Sequence, residues 1–283
     1  MSNQPTQPVN PFMTDEFARV YEEAGERITG QASRAALEHV GNIGPGKHIL
    51  DIGAGTGALT IPAIEMGAKV TAIDISPGMI RRLSGKIDRH LEVEALVMDG
   101  SQMGFSAGVF DATFSVFGVI LFRNWREGLR EQYRVTRPGG KGCVVTWGDG
   151  LGGGPFQIMA AAIESALPER PEVPKPDNFA YFSKAHNLIA EMEAAGFRDV
   201  SVKEIECYWE GPTGKDYLEQ MSALHKYMPP YGVLSSEDKL RVDQQVLRLS
   251  QSRASDGRLR LPSTVLIGLG EKADAKLNVI SEL

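Results

Sequence analysis

The chain has 283 residues, enough for one large domain or a domain with a sizeable insertion. Hydrophobic residues at 42% and charged residues at 23% belong to an ordinary globular chain, which sets aside disordered and fibrous classes. A formal net charge of −6 argues against a general nucleic-acid or anionic-membrane surface, since both need clustered positive charge.

The first residues, MSNQPTQPVNPFMTDEF, lack the basic and apolar regions of a signal peptide, and no run reaches the ~18 apolar residues of a membrane span. A cytoplasmic protein with no membrane contact and a mobile tail of roughly ten residues is expected. The run 47–53, KHILDIG, is continuously apolar, as for a strand buried on both faces. Further strands are expected at 69–75, 93–99, 110–120 and 140–148, with helices at 57–67, 77–90 and 124–136 between them. This alternation predicts an α/β fold with a parallel sheet and right-handed crossovers. Arg137-Pro138-Gly139-Gly140 should end the third helix, and 148–155, GDGLGGGP, should be a flexible loop at the carboxyl end of the fifth strand.

A helix at 183–195 follows, then strands at 200–211 and 261–272. The stretch 212–258 between them carries helical patterns, as in DYLEQMSALHKYM, and reads as a helical lid. The expected division is a cap segment at 1–30 and a single domain at 31–283 that contains the lid. Cys143 and Cys207 fall in expected strands without a CxxC or a Cys/His cluster, so they read as small buried hydrophobes. No metal site is expected.

The stretch 49–60, ILDIGAGTGALT, raises the functional question. A glycine turn between a strand and a helix lets backbone approach a ligand, and the helix start offers free N–H groups. Gly53, Gly55 and Ala58 fit a dinucleotide fingerprint, but that pattern alone is weak. Asp74, ending the second strand, suits a ribose diol in any nucleoside site. Two acids discriminate. Asp51, just before the glycines, suits a cation and would repel a pyrophosphate. Asp99, before Gly100 at the end of the third strand, can accept a hydrogen bond from an exocyclic amine. Three acids at three strand ends describe a ligand with an ammonium, a ribose and an adenine but no phosphate.

S-adenosylmethionine meets that description, and here the chain resembles the class I S-adenosylmethionine-dependent methyltransferases. DIGAGTG, Asp74, MDG at 98–100, FDATFSVFGVILF at 110–122 and RVTRPGGKGCVVTWG at 134–148 are similar to the family's motifs. The resemblance implies a Rossmann-like sheet of seven strands, mostly parallel, with an antiparallel last strand inserted between the fifth and sixth. It places Asp51 and Gly53 near the cofactor's ammonium, and Gly55 and Gly57 in the turn. Asp74 would take the ribose, with Ile75 and Met79 beside the adenine. Asp99 and Gly100 would face the adenine amine, and Ser115 and Val116 would pass the methionine part. Tyr21 resembles the aromatic that many relatives fold over the cofactor. S-adenosylhomocysteine is the implied product.

The cofactor brings its own electrophile, so the protein mainly positions and desolvates the reactants. Its partner should be a small-molecule acceptor, and a monomer is expected. The acceptor pocket is expected from the N-terminal segment 17–31, the loop 116–125 and the lid. Phe122, Trp147, Tyr227 and Tyr231 are its candidate walls, within an aromatic set that also includes Phe12, Phe17 and Phe117. His225 is the candidate general base, while His39 and His186 read as structural. MPPY at 228–231 echoes an amino-group methyltransferase motif, but it lies in the lid and begins with Met228, so that chemistry is disfavoured. The segment 17–40 and the lid are similar to fungal secondary-metabolite methyltransferases of the gliotoxin bis-thiomethyltransferase type. That similarity implies S-methylation of a thiol or dithiol such as reduced gliotoxin. O- or N-methylation of a small aromatic metabolite, a non-methylating protein that binds the cofactor, and an NAD(P) oxidoreductase are the alternatives.

Overall fold

Strands that end at the same edge of a sheet decide where a ligand can sit. The computed structural model describes residues 11–87, 93–149, 152–169 and 177–274. Its strands are β1 His48–Ile52, β2 Lys69–Asp74, β3 Val93–Val97, β4 Phe110–Val116, β5 Thr136–Trp147, β6 Arg198–Gly211, β7 Ala254–Ser255 and β8 Arg258–Glu271. The helices are α1 Asp15–Ala24, α2 Glu26–Val40, α3 Thr60–Glu65, α4 Pro77–Lys86, α5 Trp125–Val135, α6 Pro155–Ala166, α7 Asp177–Phe182, α8 Ala185–Ala195, α9 Gly214–His225, α10 Pro229–Gly232 and α11 Ser236–Ser252.

The sheet runs β3-β2-β1-β4-β5-β8-β6, with the two-residue β7 paired to β8 off this path. β1 pairs in parallel with β2 and β4, β2 with β3, and β4 with β5. β8 lies antiparallel between β5 and β6. This is the Rossmann-like order of a class I methyltransferase sheet. The chain winds outward from β1 to β3 and then returns to β4 on β1's other side. A crevice opens at such a reversal, beyond the strands' carboxyl ends.

The continuous apolar runs became the inner strands because both of their faces are covered. Ile49, Leu50, Val70, Phe114, Cys143 and Val144 have essentially no solvent exposure. Cys143 and Cys207 are both free and buried. Burial pushes both thiols up, to about 12 and about 11 respectively, so neither is a ready nucleophile.

Several expectations need correction. The fourth strand stops at Val116 rather than Ile120, because Phe117 turns to φ 56° and a short 3-10 turn follows at Val119–Leu121. The first helix after the glycines begins at Thr60, not at 57, because Gly53, Gly55 and Gly57 all carry positive φ. Arg137-Pro138-Gly139-Gly140 lies inside β5. The pairing jumps from Phe110↔Thr136 to Ala112↔Lys141, so these residues bulge from the ladder. Arg137 there pairs with Asp111 at 2.9 Å, and Gly139 N–H donates to the Lys272 carbonyl at 2.8 Å.

Within the expected loop 148–155, Gly152, Gly153 and Gly154 are buried rather than free, and Gly154 N–H donates to Ser263 Oγ at 3.1 Å. Gly150 and Leu151 lie outside the described residues, as do the expected N-terminal tail and the end of the helix expected at 77–90. α6 was not expected. It packs on α11, and α9 packs on both α11 and α1. α2 runs unbroken through residue 30. Among the described residues, no helix is long and apolar enough to cross a membrane.

Candidate active site

The crevice between β1 and β4 is made by two chains of glycine-rich backbone in contact. A Cβ at Gly53 would lie 3.0 Å from Gly118 Cα, and one at Gly118 would lie 2.7 Å from the Ile52 carbonyl oxygen. Ser115 pins the same spot, its Oγ donating to the Ile52 carbonyl at 3.2 Å and accepting from Val119 N–H at 2.9 Å. Val116 is half-buried beside it and pairs with Val145. Gly53 and Ala54 both donate their N–H groups to the Ile73 carbonyl, which turns the loop toward β2.

Asp51 is almost fully buried at the end of β1. Its Oδ2 accepts from Thr60 Oγ1 at 2.6 Å. Burial raises its carboxyl to about 7 against the Thr60 hydrogen bond, and the nearby Asp74 charge adds to the rise. A buried carboxylate poised to ionise near neutrality is a place prepared for a cation. Asp74 accepts from Gly55 N–H at 2.9 Å on one oxygen and from Ser76 N–H at 2.8 Å on the other. An ionised carboxylate has about four acceptor positions, so two remain, the number a vicinal diol fills. Burial raises this group too.

The third acid differs. Asp99 is exposed, and Oδ1 accepts both Ser101 N–H at 2.8 Å and Ser101 Oγ at 2.7 Å. Gly100 beside it is buried against Phe122, whose ring would lie 2.5 Å from a Cβ there and 2.6 Å from one at Gly128. Phe122 therefore packs beneath the Asp99 turn. Ile75 is 55% exposed at the carboxyl end of β2, while Met79 is buried in the first turn of α4. Its N–H donates to Ser76 Oγ, the cap of that helix.

Tyr21 of α1 lies over the glycines. Its Cε1 would be 3.6 Å from a Cβ at Gly55. Burial raises its phenol to about 12 against a hydrogen bond to Thr29, with Glu26, Asp74 and Asp51 adding to the rise. Phe17 continues the row, 6.1 Å from Tyr21 and 4.9 Å from Tyr227, with Phe12 at 5.0 Å from Phe17. A second group stands beyond β4 and β5, where Phe117 stacks on Trp147 at 4.0 Å. Tyr231 belongs to a third group inside the lid. Its hydroxyl donates to Asp243 at 2.9 Å, and its ring is 5.6 Å from His225. His225 is buried with neither ring nitrogen partnered, and the nearby Tyr217 hydroxyl is likewise buried without a partner; burial lowers the imidazole to about 4. The candidate walls thus fall into separate groups: Tyr227 over α1, Trp147 by the crevice, Phe122 under the Asp99 turn, and Tyr231 with His225 in the lid.

Sequence reasoning missed Thr60, Glu22, Glu26, Arg82 and Lys86. Thr60 holds Asp51, and Glu26 accepts a hydrogen bond from the Thr56 hydroxyl in the glycine loop. The signal was the acidic α1 against the basic α4, a charge pattern readable only once the two helices are known to face each other. A cavity of about 460 Å³ lined by Leu167, Val233, Leu234 and Arg241 shares no residue with the crevice. Among the described residues, no three His, Cys, Asp or Glu side chains group to hold a metal ion.

Fold and crevice together set a glycine loop at the sheet's reversal beside two shielded carboxylates, Asp51 and Asp74. Comparison with known proteins narrows this. A family described as "Methyltransferase domain" matches residues 49–140. A demethylmenaquinone methyltransferase of Corynebacterium urealyticum is 30% identical over 198 residues, covering 67% of this chain and 79% of that protein. Among solved structures, phosphoethanolamine N-methyltransferase 2 of Haemonchus contortus, bound to phosphomonomethylethanolamine and S-adenosylhomocysteine, superposes with a TM-score of 0.58 at 18% identity, over 95% of this chain. This chain spans only 61% of that longer protein. The same enzyme with S-adenosyl-L-methionine gives a TM-score of 0.57 at 18% identity, over 93% of this chain and 58% of that one. The chain belongs to the class I S-adenosylmethionine-dependent methyltransferases. It is an enzyme, and S-adenosylmethionine is its cofactor.

Proposed function

We propose that the protein methylates a small, flat, largely apolar acceptor held between the glycine crevice and the helical lid. The observation that carries this reading is the pair of aromatic groups flanking the crevice, Phe17–Tyr21–Tyr227 on one side and Phe117–Trp147 on the other. Aromatic faces suit a planar acceptor and attract the positive sulfonium. The name of the Corynebacterium relative supports a quinone-type ring as the acceptor.

In this reading Asp51, with Gly53, balances the ammonium, and Gly55 and Gly57 shape the turn. Asp74 takes the ribose hydroxyls. Ile75, Met79, Asp99 and Gly100 enclose the adenine. Ser115 and Val116 direct backbone groups along the methionine part, and Tyr21 closes the site from above. When bound, the cofactor supplies an electrophilic methyl group for in-line transfer. The chain's residues orient that methyl group, exclude water and set the approach of the acceptor.

A second reading, S-methylation of a thiol or dithiol such as reduced gliotoxin, is favoured by one observation. His225, the proposed base, has its imidazole lowered to about 4, so it accepts protons poorly at neutral pH. An acceptor that ionises by itself needs no stronger base, and a thiol does so. A reduced quinone also carries an ionisable hydroxyl.

The test is S-adenosylhomocysteine release from a panel holding a reduced quinone, a dithiol, a monothiol, a phenol and an amine. Release with the quinol and not the thiols supports the first reading. Release with thiols alone supports the second. Release with the amine alone would overturn both.

A further inference from the structure

The first helix is held over the crevice by charge as well as by apolar contact. Glu22 lies near the end of α1 and Glu26 opens α2 across the Gly25 break, while Arg82 and Lys86, four residues apart on α4, share one helical face. Glu22 accepts from Arg82 Nε at 2.5 Å and also pairs with Lys86. Lys86 then reaches Glu26 at 3.2 Å and donates to the Thr56 carbonyl at 2.8 Å. Glu26 in turn accepts from the Thr56 hydroxyl. Thr56 stands between Gly55 and Gly57, and Gly55 N–H is bound to Asp74. One continuous network therefore runs from α1 through α4 to the cofactor loop.

These groups are partly shielded: the side chains of Glu22, Glu26 and Lys86 are 18%, 26% and 29% exposed. The neighbouring pair Asp15–Arg81 is 67% and 60% exposed and belongs to the class of surface pairs worth little. Burial alone would raise Glu22, but the hydrogen bonds and charges of Lys86 and Arg82 outweigh it and hold the carboxyl below its ordinary value. At the other end of α1, a Cβ at Gly78 would lie 2.6 Å from the Thr14 carbonyl oxygen, so the chain entering α1 sits directly on the first turn of α4. With α1 in this place, Tyr21 covers Gly55.

We propose that Glu22, Glu26, Arg82 and Lys86 form an ion-pair clasp that positions α1 over the cofactor loop and gates cofactor entry and product exit. They are positioning residues, acting through Tyr21 and Thr56. The inference rests on the crevice being the cofactor site, and it holds for any acceptor.

The experiment measures the dissociation rate of S-adenosylhomocysteine from the full chain, together with KM for S-adenosylmethionine and kcat. Glu22→Gln should speed dissociation about tenfold and raise KM, the scale of one lost charge-assisted hydrogen bond. The paired exchange Glu22→Arg with Arg82→Glu should bring the rate back toward that of the unmodified protein, which separates the clasp from damage to folding. Asp15→Asn, on the exposed pair, should leave the rate unchanged. Dissociation from the unmodified protein should quicken with added salt, and less so in Glu22→Gln. A dissociation rate in Glu22→Gln within twofold of the unmodified protein, or no recovery in a folded exchange variant, would overturn the clasp. Failure of the unmodified protein to bind S-adenosylhomocysteine would overturn the assignment of the crevice itself, and the clasp with it.

Discussion

Asp51 shows what one buried acid can report. Burial places its folded-state value at about 7, above the ordinary 3.8. The sign follows from linkage: folding favours the protonated form, so this group costs no stability below about pH 4, and stability is lost as pH rises toward 7. A bound ammonium reverses the preference, because it favours the carboxylate. Binding of S-adenosylhomocysteine near pH 6 should therefore release a proton, and affinity should rise with pH and level off above about 7. Calorimetry in two buffers of different ionisation enthalpy reads the proton directly, and Asp51→Asn should abolish its release. Asp51, Asp74 and Asp99 were legible in the sequence because each closes an apolar run that can only be a strand, and strand ends in such folds meet at one edge. Glu22, Glu26 and Lys86 were not, because their partners lie on another helix about 60 residues away in the chain, or in the glycine loop. The burial of His225 was equally hidden, since its neighbours Tyr217 and Tyr231 come from other turns of the lid.

At the scale of elements, the contact between the β1–α3 and β4–α5 connections carries the crevice. Gly118 has an ordinary negative φ of −78°, so any side chain suits its backbone, yet the space is closed by the Ile52 carbonyl and Ser115 Oγ. Gly118→Ala must push β1 and β4 apart at their carboxyl ends. It should cost about 1–3 kcal/mol of stability, the usual scale of overpacking, and weaken cofactor binding as well. Urea unfolding and equilibrium binding of S-adenosylhomocysteine check the two effects separately. The inner strands were readable because continuous apolar runs have few other uses in a chain of this composition. The bulge in β5 was not: Pro138 and the glycines after it predict a break, and only the pairing with β4 and β8 shows that the strand resumes. α6 escaped notice because PFQIMAAAIESA follows a glycine run and carries little polar contrast to mark a helical face.

Across the whole molecule, α1 touches both α4 on the sheet domain and α9 in the lid. α9 and the glycine loop are thereby joined through one short helix, whose Tyr21 lies against Gly55. Ligand bound beneath α1 should stabilise the chain as a unit. S-adenosylhomocysteine at a hundredfold excess over its Kd should add about 2.7 kcal/mol to the unfolding free energy. Tyrosine fluorescence and far-ultraviolet circular dichroism should shift together; a shift confined to one probe would show that the lid unfolds apart from the sheet.

The antiparallel place of β8 also matters before the protein is finished. Among the described residues β6 has no sheet partner other than β8, and β8 begins 47 residues after β6 ends. On the ribosome, at about 5–20 residues per second, β6 emerges seconds before the strand that joins it to the sheet. During that interval its backbone N–H and C=O groups are open to any other strand, including the same segment of a neighbouring nascent chain. The helices that pack on β6 in the folded protein, α2 and α8, precede it in the chain. Synthesis of this enzyme thus contains a vulnerable period set by topology alone, and it closes only when β8 arrives.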